Sequence, residues 1–331
     1  MAVWGVVSTV KAPLYDIIKF VANHLSMGAT YFVIYLDHPD PDVISYFADD
    51  LDVRIIPTDD AYWSKFDHRP KGIEGRQIAN INHALDLLRT TDRGIGWVAH
   101  IDIDEFIVNH SAQLSISQKL RRIPDHLGSV QIQPIENLVT PLPSAQDVHF
   151  FKALMFPFGR RMRMSAEIFP DYGDRIIGGF LSHKNGKSIF RVTDTPIKVG
   201  IHHAKSHAAP TETVYLRGYE LAHFHVKPWD QFERLYELRR LNGSYRPINS
   251  EKTLGPKKLL PVWKVLDNIE QEEGREGIKR LYEALCVATP ELLQRLENFN
   301  LLRRIDMQFE HNIAHYFPDA AQASARRVNA D

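Results

Sequence analysis

Asp102 and Asp104, two carboxylates one residue apart, follow the hydrophobic run Trp97–Ala99 in the stretch His100-Ile101-Asp102-Ile103-Asp104-Glu105-Phe106. At the carboxyl end of a buried strand, such a pair can hold a hard divalent cation and leave coordination positions open for phosphate oxygens. Acidic residues that merely end a strand and face water have the same spelling, and Asp-x-Asp alone is common. Ile103 and Phe106 favour the site, because apolar neighbours anchor the loop in a core and fix where the carboxylates point. A second group comes late in the chain. His223 and His225 are two apart, so in an extended segment they share one side; one could complete a metal site while the other approaches a phosphate. His202, His203 and His207 form a further cluster suited to lining a pocket or to a structural role, and with 16 histidines in the chain hydrogen-bonded structural ones are expected. Lys187 and Arg191 can bind phosphate or cover a solvated face. Arg160, Arg161 and Arg163 read first as a solvated face, and second as a contact for an anionic acceptor or lipid headgroup.

The first hundred residues supply the frame that must position these groups. Trp4–Val10 is a β-branched run, and Asp16–Met27 sets Ile17, Ile18, Val21 and Leu25 on one helical face, with Gly28 at the C′ position. Tyr31–Leu36 reads as a second buried strand, after which Asp40 caps a short helix that begins with Pro41. Val53–Ile56 is a third strand, Gly75–Arg89 a helix with Ile78, Ile81, Leu85 and Leu88 inward, Trp97–Ile101 a fourth strand and Ser129–Ile135 a fifth. Strands that alternate with helices predict an α/β fold with a Rossmann-type, mainly parallel sheet flanked by helices, because parallel neighbours need crossovers. Functional loops then gather at the carboxyl ends of the strands.

After the fifth strand the character changes. Phe150–Ile201 is rich in aromatic, Gly and basic residues, and Asn185-Gly186 predicts a hairpin turn. From Trp229 the pattern is helical. The expected division is a catalytic domain over 1–235, a helical region over 236–317 and a flexible tail over 318–331.

The chain has 331 residues with 44% hydrophobic content, enough for roughly two domains at ~150 residues each. Lys+Arg 40 against Asp+Glu 41 leaves a formal charge of −1, which removes the electrostatic footprint of a nucleic-acid binder. One cysteine, Cys286, permits neither an intramolecular disulfide nor a thiolate metal cluster, so a reducing cytoplasm is the expected location. The apolar opening lacks a basic n-region and reads as a strand, and no apolar run reaches the ~18 residues of a membrane span. Membrane contact is expected to be peripheral at most, at an inner membrane face.

The run Phe20–Asp42 resembles the amino-terminal motif of the family-2-like glycosyltransferases, in which a helix, a Gly turn and a strand ending in Asp build half of a nucleotide pocket. Asp102–Phe106 resembles their Asp-x-Asp motif. Weaker matches are Phe158-Gly159, Gly186–Arg191, His202, and Leu221–Lys227 followed by Phe232, which together extend the resemblance over residues 4 to 235. This chain has Lys11-Ala12-Pro13 where related sequences carry Asn-Glu after the Lys, and Met155–Gly159 where a Trp precedes Phe-Gly.

The resemblance implies a GT-A fold with a C-terminal helical appendix. It implies a nucleotide-diphosphate-sugar donor, a UDP-sugar foremost, a glycan or lipid-linked acceptor hydroxyl, and Mn2+ or Mg2+ as cofactor. Donor contacts fall to Lys11, Asp37, Asp102, Lys187 and Lys227, with Asp37 accepting from uracil or ribose. The metal falls to Asp102, Asp104, His223 and His225. An inverting transfer needs a general base near the anomeric carbon, for which Glu136 just after the fifth strand, Glu167 and Asp171 are the candidates. Two other readings stay open from the residues alone: a metal-dependent phosphoesterase, and a non-catalytic carbohydrate- or nucleotide-binding module.

Overall fold

A computed structural model describes residues 2–140, 147–154, 160–193, 198–200, 204–205, 214–242, 245 and 260–322. Met155–Gly159, His202, His203 and His207 lie outside the described residues. The chain divides into two units that interleave in sequence: Met1–Pro134 with Asn185–Ala222 and Met307–Asp331, and Ile135–Lys184 with His223–Asp306.

In the first unit the apolar runs become strands. β1 (Val3–Val10) is buried from Trp4 to Val10 and pairs in parallel with β2 (Tyr31–Leu36) on one edge and β4 (Ile95–His100) on the other. β3 (Val53–Pro57) pairs in parallel with β2. The crossovers are helical, with α1 (Leu14–Ser26) after β1, α2 (Pro41–Tyr46) after β2, and α3 (Asp60–Trp63) and α4 (Ile73–Arg89) after β3. Gly28 follows the end of α1 at φ 89°, a left-handed position glycine takes without a Cβ clash. Asp40 caps α2 by accepting from the N–H groups of Asp42 and Val43, and Pro41 is the first helical residue. α4 buries Ile81, Ala84, Leu85 and Leu88 against Val7, Val33, Tyr35 and Val98.

The sheet is mixed, which corrects the mainly parallel expectation. Beyond β4 come β8 (Lys187–Arg191) and then β6 (Ser129–Leu138), and β8 runs antiparallel to both. A strand inserted antiparallel needs no helical crossover, so the βαβ alternation of the first hundred residues stops at β4. Asn185-Gly186 does not turn a hairpin, since residues 181–186 form no strand. Gly186 has φ 65°, and a Cβ there would stand 2.0 Å from the Ile132 carbonyl oxygen, so the glycine serves a close approach to β6.

β5 (Glu105–Asn109) leads through α5 (Ile116–Leu120) to β6 and pairs with β11 (Tyr215–His223). β9 (Lys198–Val199) and β10 (Ala204–Lys205) make a small antiparallel ribbon. α10 (Phe309–Tyr316) returns to pack on α1, with the rings of Phe309 and Phe106 at 4.8 Å and a Tyr15–Glu310 hydrogen bond. Residues 318–322 of the expected tail are helical, and 323–331 lie outside the described residues.

In the second unit the latter half of β6 pairs antiparallel with β7 (Val148–Ala153), which places Glu136 opposite Lys152. β12 (Leu302–Asp306) pairs antiparallel with β7. This strand corrects the helical reading of 236–317 at one point: its Arg303 and Arg304 carry no helical apolar stripe, and five residues suffice for an edge strand. The helices are α6 (Arg161–Ile168), α7 (Trp229–Asn242), α8 (Val262–Cys286) and α9 (Pro290–Asn298). α8 breaks its helical dihedrals at Gly274, φ 64°. Tyr236 of α7 donates to Glu270 of α8 at 3.0 Å. Among the described residues no helix is long and apolar enough to cross a membrane.

Candidate active site

In the first unit the carboxyl ends of β2 and β4 bring Asp37 and Asp102 to one edge of the sheet. The antiparallel register pairs Ala99 with Ile189, so the start of β8 lies level with the end of β4 and Lys187 arrives beside Asp102. Its ammonium donates to Asp102 Oδ2 at 2.7 Å and lies 3.7 Å from Glu105 Oε2. Glu105 Oε2 accepts the Asp102 backbone N–H at 2.9 Å, which tightens the loop through Ile103 and Asp104. Gln77, from the first turns of α4, donates to Asp102 Oδ1 at 2.6 Å.

Burial raises the Asp102 pKa, helped by Glu105 and Asp104 and opposed by Lys187. Burial works to lower the Lys187 pKa, but the carboxylates of Glu105 and Asp102 outweigh it and hold the ammonium firmly protonated. Lys187 is only 3% exposed and Asp102 28%, so this pair is poorly screened by solvent. Lys187 therefore anchors the acidic loop, where the sequence suggested a phosphate contact. Asp104 stands half-exposed in the same loop. The loop thus gathers three carboxylates, Asp102, Asp104 and Glu105, of which Asp102 and Glu105 face the Lys187 ammonium.

Asp37 is gripped by Arg76, with Nε to Oδ1 at 2.6 Å and Nη2 to Oδ2 at 3.0 Å, and Arg69 approaches its Oδ1 at 3.5 Å. A carboxylate has about four acceptor sites, so this two-pronged pair fixes its orientation and leaves acceptor capacity for a ligand. Lys11 stands exposed just past β1.

Arg76 and Gln77 were not singled out in the sequence, although a signal existed. The inward stripe of α4 is apolar at Ile81, Leu85 and Leu88, but its head carries Gln77 and Asn80. Ile78, expected inward, is only half-buried. Polar residues heading an apolar stripe mark where a helix leaves the core for a polar site; Asn80 bonds Thr9 and Tyr62 there.

The second unit holds the remaining candidates. Glu136 and Lys152 are both fully buried and paired at 3.0 Å. Burial alone would raise the Glu136 pKa. The Lys152 charge, His225 and hydrogen bonds from Ser182 and Lys152 overcome it and bring the carboxyl down to about 2. Its oxygens also accept the backbone N–H groups of Leu181 (3.1 Å) and Ser182 (2.6 Å). A carboxylate so stabilised is a weak proton acceptor. Glu167 is 46% exposed and pairs with Arg163 on the α6 surface at 2.8 Å.

His223 and His225 are buried, with ring centroids 5.1 Å apart, while Phe224 between them packs on Phe151. His225 Nε2 meets the Tyr245 hydroxyl at 3.0 Å. The Lys227 main-chain carbonyl accepts from the Tyr282 hydroxyl at 2.9 Å.

Comparison with known families adds the deciding observation: the model of Glycosyltransferase family 92 matches residues 8–262, most of the chain. The chain belongs to glycosyltransferase family 92. The broader expectation of a glycosyltransferase is thereby met, in a family other than the family-2-like enzymes that the motifs resemble, and the match favours sugar transfer over the phosphoesterase reading. As a family 92 glycosyltransferase the protein works with a sugar donor and a glycan acceptor. No curated protein matches the chain. Among solved structures, that of HddC from Yersinia pseudotuberculosis is 10% identical, covering 72% of this chain and 100% of its own, at a TM-score of 0.33, a likeness too slight to bear on fold or function.

Proposed function

We propose that this family 92 glycosyltransferase moves a hexose from a nucleotide-diphosphate donor, a UDP-sugar foremost, to a hydroxyl of a glycan or lipid-linked acceptor, with a GT-A-like donor site. The observation that carries the reading is the gathering of Asp102, Asp104 and Glu105 at the end of β4, two strands from the Asp37–Arg76 pair at the end of β2. Carboxyl ends of parallel strands are where α/β sheets receive nucleotides.

In this reading Asp37, oriented by Arg76, accepts from the base or ribose. The donor set suits a hard divalent cation: Asp104 is half-exposed and offers carboxylate oxygen, while Asp102, committed to Lys187 and Gln77, fixes the loop that presents Asp104. Bound Mn2+ or Mg2+ supplies neutralisation of the charge that develops on the departing diphosphate. Lys187 keeps the acidic loop from splaying when the site is empty of cation. For the acceptor hydroxyl, Glu167 is the better base of the two glutamates, because its surface pair with Arg163 is weak, whereas Glu136 is locked in a buried ion pair.

The test is release of nucleoside diphosphate from a panel of nucleotide-sugars, with Mn2+ or with EDTA. Asp104→Asn should cut Mn2+-dependent release by about 100-fold or more while leaving the melting temperature unchanged, in line with losing a main electrostatic contribution to the transition state. Release that is undiminished in this variant would refute the placement of the donor diphosphate.

A further inference from the structure

The acidic loop is fastened at its downstream end over three consecutive residues. Glu105 accepts the Asp102 N–H at 2.9 Å, and the Glu105 N–H donates back to the Asp102 carbonyl at 3.0 Å, which closes the turn that carries Ile103 and Asp104. Two residues on, Ile107 has both of its main-chain groups held by α1. His24 Nε2 accepts its N–H at 3.3 Å, and Asn23 Nδ2 donates to its carbonyl at 3.4 Å. Burial brings the His24 pKa down to about 4, and Nδ1 donates to the Phe20 carbonyl at 2.7 Å, so the neutral ring keeps Nε2 as an acceptor.

Phe106 stands between these two anchors, and it is here that α10 touches the footing of the loop. Its ring stacks on His24, with centroids 6.1 Å apart and planes inclined at 8°, and meets Phe20 at 6.1 Å. Phe309, the first residue of α10, approaches it at 4.8 Å. Aromatic pairs at such separations contribute beyond the area they bury. Phe309 is itself held: the Lys19 ammonium lies 5.5 Å from its ring centroid, and Glu310 beside it accepts from Tyr15 of α1. The chain enters α10 through Gln308 at φ 51°, a left-handed conformation that persists in a non-glycine residue only where the surroundings enforce it. A phenyl ring has no polar atom to offer a ligand, so Phe309 acts through Phe106.

We propose that Phe309 is a positioning residue for the acidic loop: its ring seats Phe106, and through Phe106 and Glu105 it sets where Asp104 points. That makes α10 part of the support of the donor site. The proposal deepens the metal-assisted reading above and rests on it for the ion that Asp104 meets; the seating of the loop is tested without ion, donor or acceptor.

Amide hydrogen exchange of the full chain in metal-free buffer, followed by mass spectrometry, reads the seating directly. Residues 102–107 should exchange about 10-fold faster in Phe309→Ala than in the wild type, the scale of one lost aromatic pair. Mn2+ titrated in the presence of UDP, read from the loss of the free-ion electron paramagnetic resonance signal, should bind about 10-fold more weakly, as when an outer support of a metal site is removed. Phe309→Tyr keeps the ring and should restore both values. Leu88→Ala, in the core at the far end of α4, controls for a general loss of stability and should leave both at the wild-type level. Unchanged exchange at 102–107 in Phe309→Ala would overturn the proposal. So would a Mn2+ affinity that stays at the wild-type value, or one that falls equally in Leu88→Ala. Should Phe309→Ala fail to fold, Phe309→Leu, which fills most of the space without a ring, is read in its place. A wild type that takes up no Mn2+ defeats the metal-assisted reading, and the exchange at 102–107 then decides the seating alone.

Discussion

Replacing Lys152 with methionine isolates what the buried pair in the second unit contributes. Lys152 has no exposed surface; it pairs with Glu136 at 3.0 Å and donates to the carbonyls of Gly179 (2.5 Å) and Leu285 (2.6 Å). The depression of the Glu136 carboxyl from 4.5 to about 2 corresponds to about 3 kcal/mol of preference for the ionised form. Removing one partner of a buried pair costs about 3–5 kcal/mol, since the survivor is left uncompensated. Lys152→Met should therefore lose about 3–5 kcal/mol in urea unfolding at pH 7, followed by near-ultraviolet circular dichroism. Adding Glu136→Gln removes the stranded charge and keeps an acceptor oxygen for one of the Leu181 and Ser182 N–H groups, the other then meeting the amide NH2. The double variant should therefore recover about 2 kcal/mol of the single variant's loss. The pH dependence has a definite sign. A carboxyl with a lowered folded-state pKa stabilises the fold above about pH 4.5, and that contribution fades as pH falls towards 2. Lys152→Met should remove this acid limb. A loss under about 1 kcal/mol, or no recovery in the double variant, would refute the account of the pair as a pillar of this unit.

Other expectations follow from single contacts. Arg76→Lys exchanges a two-pronged grip on Asp37 for a point charge and should raise the donor KM by about 10-fold with kcat little changed; an unmoved KM would place Asp37 outside the donor site. Cys286 is buried, and burial pushes its thiol up to about 12. The native protein should thus resist Ellman's reagent at pH 8 and react fully in urea, and rapid native labelling would contradict the packing of α8. Ile81→Ala, in the core between α4 and the sheet, should cost about 2–5 kcal/mol by urea unfolding; a cost below 1 kcal/mol would mean that α4 is seated differently.

The elements that were legible are those whose local pattern is also their tertiary role. Val7, Val33 and Val98 lie in runs buried on both faces, and the Gly28 and Asp40-Pro41 signals act within a few residues of themselves. β8 and β12 were not legible as sheet strands, because an antiparallel neighbour is chosen by non-local pairing. Lys187-Ser-Ile-Phe-Arg191 says nothing of whether it will join a hairpin or slot between β4 and β6. At the site, the Asp102–Asp104 spelling carries its own context, whereas Arg76 and Gln77 acquire meaning only once α4 is laid on the sheet. Glu136 looked like a base by its place after a strand. Only the cross-strand register, which sets Lys152 opposite, reveals the ion pair.

The insertion of β8 beside β4 decides what holds the ammonium in place. At an all-parallel edge, each strand departs into a loop, and residues there inherit the freedom of that loop. At this edge one strand begins instead: Lys187 is held from its first position by the ladder to β6, opposite Ile132, and the ladder to β4 joins at Ile189, with Gly186 pressed against the Ile132 carbonyl just before. The position of the ammonium facing Asp102 is thus set by strand pairing and a glycine close approach, and not by the loop residues that precede them.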